Sequence, residues 1–200
     1  MPPAKGLVVA MTVSVVCANG ATASIITLSQ FSSDETDPAL LSASFDFAVS
    51  GSILTLSVTN DTLAPNDYLI SAVYFNAPDG VTLLFDGLTG WTFLTDQGAD
   101  GFGRHDFALI DGQGQNPAQI GPGETVIFSF TILAGLPTPQ SILSSFSVIP
   151  PGNQPVVVAA KFRAGPGDDS AFGASIPAPG ALPLVLGGIA LVNRRRRRVL

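Results

Sequence analysis

The chain has 200 residues, enough for one domain of ordinary size, and its 46% hydrophobic and 12% charged content excludes intrinsic disorder as the state of most of it. The formal charge of −6 conceals an asymmetry: between Ser24 and Ser170 only Arg104, Lys161 and Arg163 oppose all fifteen acidic residues, so this body carries −12. Such a surface repels phosphate backbones and anionic head groups, which argues against nucleic-acid partners and electrostatic membrane attachment and leaves divalent cations or neutral glycans as easier partners.

Residues 1–23, MPPAKGLVVAMTVSVVCANGATA, have one positive side chain at Lys5, an apolar stretch over 6–16, and small residues at Ala21 and Ala23. This is the layout of a secretory signal peptide with an A-x-A site for signal peptidase, placing the mature N-terminus near Ser24. The only cysteine, Cys17, lies inside it, preceded by Val16 where a lipoprotein site needs a small residue. The mature chain then has no cysteine, hence no disulfide and no thiolate metal site, although export would permit disulfides.

The body spans 24–170, and within it, between Ser42 and Phe162, the apolar period is two. SFDFAVS (44–50) alternates Phe45, Phe47 and Val49, and ILTLSVTN (53–60) alternates Leu54, Leu56 and Val58 against Thr55, Ser57 and Thr59. Further strands are expected over 68–75, 81–85, 91–95, 105–110, 125–133, 142–149 and 156–162, where β-branched and aromatic residues concentrate. Turn residues separate them, among them Ser50-Gly51-Ser52, Asp86-Gly87, Asp111-Gly112 and Gly121-Pro122-Gly123. Short strands without intervening helices predict an all-β fold, an antiparallel β-sandwich, with Phe45, Phe47, Leu54, Leu56, Val58, Phe128, Phe130 and Ile132 in its core. Trp91 reads as a packing anchor, with a sugar platform as the alternative.

Few residues carry chemistry. His105 is the only histidine, begins a strand, and reads as a rim residue; no nucleophile turn accompanies it, and zinc lacks a second histidine or a mature cysteine. The segment DQGADGFGRHD (96–106) spaces Asp96, Asp100 and Asp106 with glycines, which makes these three candidate calcium ligands on a loop; the competing reading is a solvated loop, since the twelve-residue ligand pattern is absent. Asp168 and Asp169 form a second acidic pair read the same way. No two of the fifteen acids stand out as a glycosidase pair. Asn60-Asp61-Thr62 has the form of a glycosylation sequon. Calcium is therefore the sole cofactor candidate.

The tail from 171 to 200 reads as an address. Ile176, Pro177, Ala178 and Pro179, followed by Gly180, are extended and open to proteases. The twelve residues 181–192 are apolar and as a helix rise about 18 Å, short of the ~30 Å hydrocarbon core. Arg194, Arg195, Arg196, Arg197 and Arg198 would hold their end in the cytoplasm while the signal peptide sends the body across.

A Pro-containing signature, a short apolar transmembrane helix and an arginine cluster together resemble the PEP-CTERM class of bacterial sorting signals. The signature, Ile-Pro-Ala-Pro, lacks the glutamate of the best-known form and is more similar to the Val-Pro-Leu-Pro-Ala variants. The resemblance covers about residues 175–198 and implies an exosortase-type membrane enzyme that cleaves near the signature. The body would then be released or joined to surface material, commonly in organisms that make extracellular polysaccharide and biofilm. The segments 122–132 and 161–173 resemble stretches that precede the tail in such surface proteins, and they imply no active-site residues. The resulting expectation is an exported, non-enzymatic protein of the cell surface or extracellular matrix. A carbohydrate- or calcium-dependent binding module, with Trp91 or Tyr74 as a stacking surface, is the alternative, and a secreted hydrolase the third reading.

Overall fold

The computed structural model describes residues 22–28, 31–32, 40–112, 118–148, 155–163 and 170–175. The expected signal peptide up to residue 21 and the tail from 176 onward lie outside the described residues. Among the described residues no helix is long and apolar enough to cross a membrane.

Two antiparallel sheets enclose one core, as an all-β, sandwich-like fold. In chain order the strands are β1 (Thr22–Leu28), β2 (Phe31–Ser32), β3 (Ala43–Ser50), β4 (Ile53–Asn60), β5 (Leu69–Phe75), β6 (Thr82–Phe85), β7 (Trp91–Ala99), β8 (Gly103–Asp111) and β9 (Thr125–Ala134), then the short helix α1 (Pro139–Ile142), β10 (Val158–Arg163) and β11 (Ser170–Ser175). The first sheet has the order β1-β3-β4-β9-β6 and the second β2-β11-β10-β5-β8-β7.

Alternation decides which face each strand buries. In β3 and β4, Phe45, Phe47, Leu54, Leu56 and Val58 are fully buried, and opposite them on β9 so are Phe128 and Phe130, while Ile132 is partly buried against the same cluster. Thr55, Ser57 and Thr59 take the other face, where Thr59 and Thr125 share a hydroxyl hydrogen bond of 2.8 Å. From the second sheet Phe75 and Phe107 enter the same core. Phe75 packs on Phe47, Phe107 and Phe130 at 5.7, 5.3 and 5.8 Å between ring centroids, and Phe93 stacks on Phe107 at 5.6 Å. Each such ring contributes roughly 1.5–3 kcal/mol when fully buried.

Over the described residues 142–148 the strand expected for 142–149 does not form. Thr138 and Ser141 form a reciprocal cap, the Thr138 hydroxyl accepting from the Ser141 N–H at 3.1 Å and the Ser141 hydroxyl accepting from the Thr138 N–H at 2.9 Å, so the chain starts α1 instead. Ser144 and Ser145 then bond back to the carbonyls of Gln140 and Ser141, local bonds that compete with a sheet ladder. Of that segment only Val148 makes a β-bridge, to Arg104. Three strands go beyond the expected set: β1, β2 and β11. The backbone of Thr22 and Ala23 already pairs with Val49 and Ala48, ahead of the expected start at Ser24, and β11 carries the fold to Ser175, past the expected boundary at 170.

Asn60 is a polar residue at the centre of the fold's stitching. Fully buried, its side-chain amide donates to the carbonyls of Tyr68 at 2.7 Å and Ile120 at 2.9 Å, and its carbonyl oxygen accepts from the Thr62 N–H at 3.1 Å. These bonds satisfy backbone groups that would each cost about 1–3 kcal/mol if left buried and unpaired. They also consume the amide of the sequon, which the folded body does not present to a glycosyl carrier.

Candidate functional site

The segment 96–106 is mostly strand. β7 runs to Ala99 and β8 begins at Gly103, with Gln97 opposite His105 and Ala99 opposite Gly103, so only residues 100–102 turn. The glycines that suggested a loop sit at the end of a long hairpin: Gly101 and Gly103 have φ of +79° and +82°, and Asp96, inside β7, takes φ of +55°, which aspartate tolerates better than most side chains.

The hairpin and the link from β5 to β6 form an open cleft of about 380 Å³, lined by Ala77, Pro78, Asp79, Gly80, Val81, Thr95, Asp96, Asp106 and Phe107. Gly135 packs closely behind Gly80 and Val81, two residues of the lining. Its φ is +80°, and a Cβ there would stand 2.9 Å from Val81 Cγ2 and 3.1 Å from the Gly80 carbonyl oxygen.

Of the three expected calcium ligands, Asp96 and Asp106 line this cleft and Asp100 is exposed at the hairpin turn. Asp79 joins the first two, which sequence spacing could not indicate because it comes from another strand connection. The carboxylates of Asp96 and Asp106 already have partners. Asp96 Oδ1 accepts from Arg104 Nε at 2.7 Å, an exposed ion pair that lowers the Asp96 pKa and raises that of Arg104. Asp106 Oδ2 accepts from the Ala77 N–H at 3.1 Å, while the Asp106 N–H donates to Asn76 Oδ1 at 3.1 Å. The Asn76 amide in turn donates to the Val157 carbonyl at 3.2 Å. Among the described residues no group of three or more His, Cys, Asp or Glu is gathered so as to hold a metal ion. Asp168 and Asp169 lie outside the described residues.

His105 is not a rim residue. It is 1% exposed beside Tyr74, with ring centroids 5.7 Å apart, and neither ring nitrogen has a hydrogen-bond partner among the described residues. Burial pushes its pKa down to about 4, with the Gly103 backbone acting weakly in the opposite direction. The ring is therefore neutral near pH 7. It belongs beside a second, smaller apolar cluster that contains Ala72, Tyr74, Phe102, Ala108, Val156 and Ala159.

Trp91 and Tyr74 are 8% and 5% exposed, and neither offers an open ring face for stacking a sugar. Trp91 packs edge-on against Phe128 at 5.0 Å, as a core anchor. Burial also raises the Tyr74 pKa above its ordinary value.

Comparison with protein-family models, curated proteins and solved structures finds no match for this chain.

Proposed function

We propose that this is an exported protein without catalytic activity, whose all-β body becomes part of the cell surface or extracellular matrix after its C-terminal segment has directed its sorting. One observation carries the reading. Residues 176–200 hold a proline-containing spacer, an apolar run and five arginines in succession, and they begin directly after Ser175, the last residue of β11. That order joins a complete sheet to a membrane-directed address with positive charge on its cytoplasmic side. Ala21 and Ala23 serve signal peptidase, Ile176, Pro177, Ala178 and Pro179 the exosortase-type enzyme, and Arg194 to Arg198 retention during processing.

Intact masses of the protein from membrane, surface and medium fractions of its host test this. The expected mature species begins near Ser24 and ends within 177–180. A species that keeps Arg194 to Arg198 in every fraction would replace sorting with a plain membrane anchor.

The cleft beside Asp79, Asp96 and Asp106 favours a second reading, a module that binds neutral glycan hydroxyls through carboxylate acceptors, with or without calcium. Under it, matrix polysaccharide raises the melting temperature of the wild-type body and Asp79→Asn weakens that rise. Indifference of the melting temperature to glycan, both with and without calcium, removes it.

A further inference from the structure

The bonds that close the second sheet also fix what surrounds the point where the tail leaves the body. Ser175 is buried and pairs with Val158, and its carbonyl accepts from the Val157 N–H at 3.1 Å. The adjacent Val156 carbonyl accepts from the Ser147 N–H at 2.8 Å, and the Val156 N–H donates to the Ser147 hydroxyl oxygen at 3.1 Å. That hydroxyl donates to the Phe102 carbonyl at 2.7 Å, and Val148 exchanges both backbone hydrogen bonds with Arg104. Residues 146–148 are thereby held between the tail exit and β8. On either side of the buried Ser147, Phe146 and Val148 stand 48% and 70% exposed.

The strip's own sequence is also uncharged, and Arg104, the bridge partner of Val148, is ion-paired with Asp96. Residues 125–160 contain no Asp, Glu, Lys or Arg, in a body that otherwise carries −12. Between Ser175 and the apolar run at Ala181 lie only residues 176–180, whose fully extended reach is about 20 Å.

We propose that, while the apolar tail is held in a bilayer, the body lies with this end on the lipid surface and Phe146 and Val148 contact it. The proposal rests on the membrane reading of the tail. The short spacer keeps this end near the head groups, and the strip around Ser147 can approach them without the repulsion that the acidic remainder would meet. The surface that fits is zwitterionic: Asp96, Asp100 and Asp106 on the adjoining β7–β8 hairpin, with Asp79 across the cleft from it, disfavour anionic lipid. Leu63, 79% exposed in the connection that enters β5 at Leu69, lies at the other end of that strand from Phe75, the partner of Val158. It is an equally apolar reference that the proposal keeps off the membrane.

The test uses the full chain with Cys17→Ser and one fluorophore-labelled cysteine at a time, Val148→Cys, Phe146→Cys, Leu63→Cys or Leu186→Cys, reconstituted in phosphatidylcholine vesicles. Quenching is read with lipid-attached nitroxide and with aqueous iodide. The label at 148 is expected to be quenched by the nitroxide about twofold or more over the label at 63, and to be shielded from iodide. Position 146 gives the same comparison independently. Equal quenching at 146, 148 and 63, with the label at 186 in lipid, would overturn the proposal and leave the membrane reading standing. No lipid quenching at 186 would overturn both.

Discussion

His105 places a titrating ring in the interior, 1% exposed, where burial outweighs the opposing effect of the Gly103 backbone. Its folded pKa of about 4 lies below the ordinary 6.5, so the sign of the linkage follows. Above pH 6.5 the ring is neutral in both states and the fold has its full stability. Between 6.5 and 4 the unfolded chain binds a proton that the folded chain refuses, and the fold loses about 3 kcal/mol on that account as pH falls. Asp86, whose pKa is lowered by hydrogen bonds from Ser129 and Thr131, and Asp96, lowered by Arg104, contribute their losses below 3.8, outside this window. The variant His105→Phe fills the space against Tyr74 with nothing to protonate. The fall in urea midpoint from pH 7 to pH 4.5 should therefore be much smaller in this variant than in the wild type, and equal falls in both would contradict the account. That burial was not legible in the sequence, because a histidine at the start of a strand has the pattern of a rim residue, and what covers it comes from other elements. Asn60 was misleading for a related reason: the sequon shows three residues, whereas the amide's partners are the carbonyls of Tyr68 and Ile120.

At the scale of elements, the strands with strong alternation were readable and those built from small or polar residues were not. β3, β4 and β9 announce themselves through large apolar residues, phenylalanine, leucine, valine and isoleucine, at every second position. β11, SAFGAS, has one large apolar residue and a glycine, yet it sits between β2 and β10 with Gly173 opposite Ala160. Its glycine has a packing reason: a Cβ there would lie 3.1 Å from the Phe162 ring and 3.2 Å from Leu41 Cβ. Small residues are what lets the strand enter a crowded sheet, and they are also what hides it from a reading by hydrophobicity. A chain ending at Ser175 is therefore expected to unfold in one cooperative transition, and a chain ending at Asp169 to lose that cooperativity by uncovering the edge of β10. Coincident transitions by circular dichroism and tryptophan fluorescence would check this, and an equally sharp transition in the shorter chain would show β11 to be dispensable. The α1 region failed in the opposite direction, since its apolar spacing suits a strand and the cap formed by Thr138 and Ser141 decides otherwise.

For the molecule as a whole, a period of two reports which face a residue takes and is silent about which strands are neighbours. The two-sheet architecture was legible on that basis, while the strand order was not, and the cleft between the β5–β6 link and the β7–β8 hairpin depends entirely on that order. The pairing of β10 with β5 has a consequence in time. The Ser71 hydroxyl bonds the carbonyl of Lys161, a residue ninety positions later, and β5 is central to the second sheet. A chain delivered from its N-terminus can pair β3 with β4 early, but the centre of the second sheet stays open until β10 and β11 have arrived. Since β11 ends at Ser175, completion of the fold coincides with arrival of the residue that precedes the tail. A chain interrupted before β11 would present exposed β-edges in place of a body, and a finished body reports that the chain has arrived as far as Ser175.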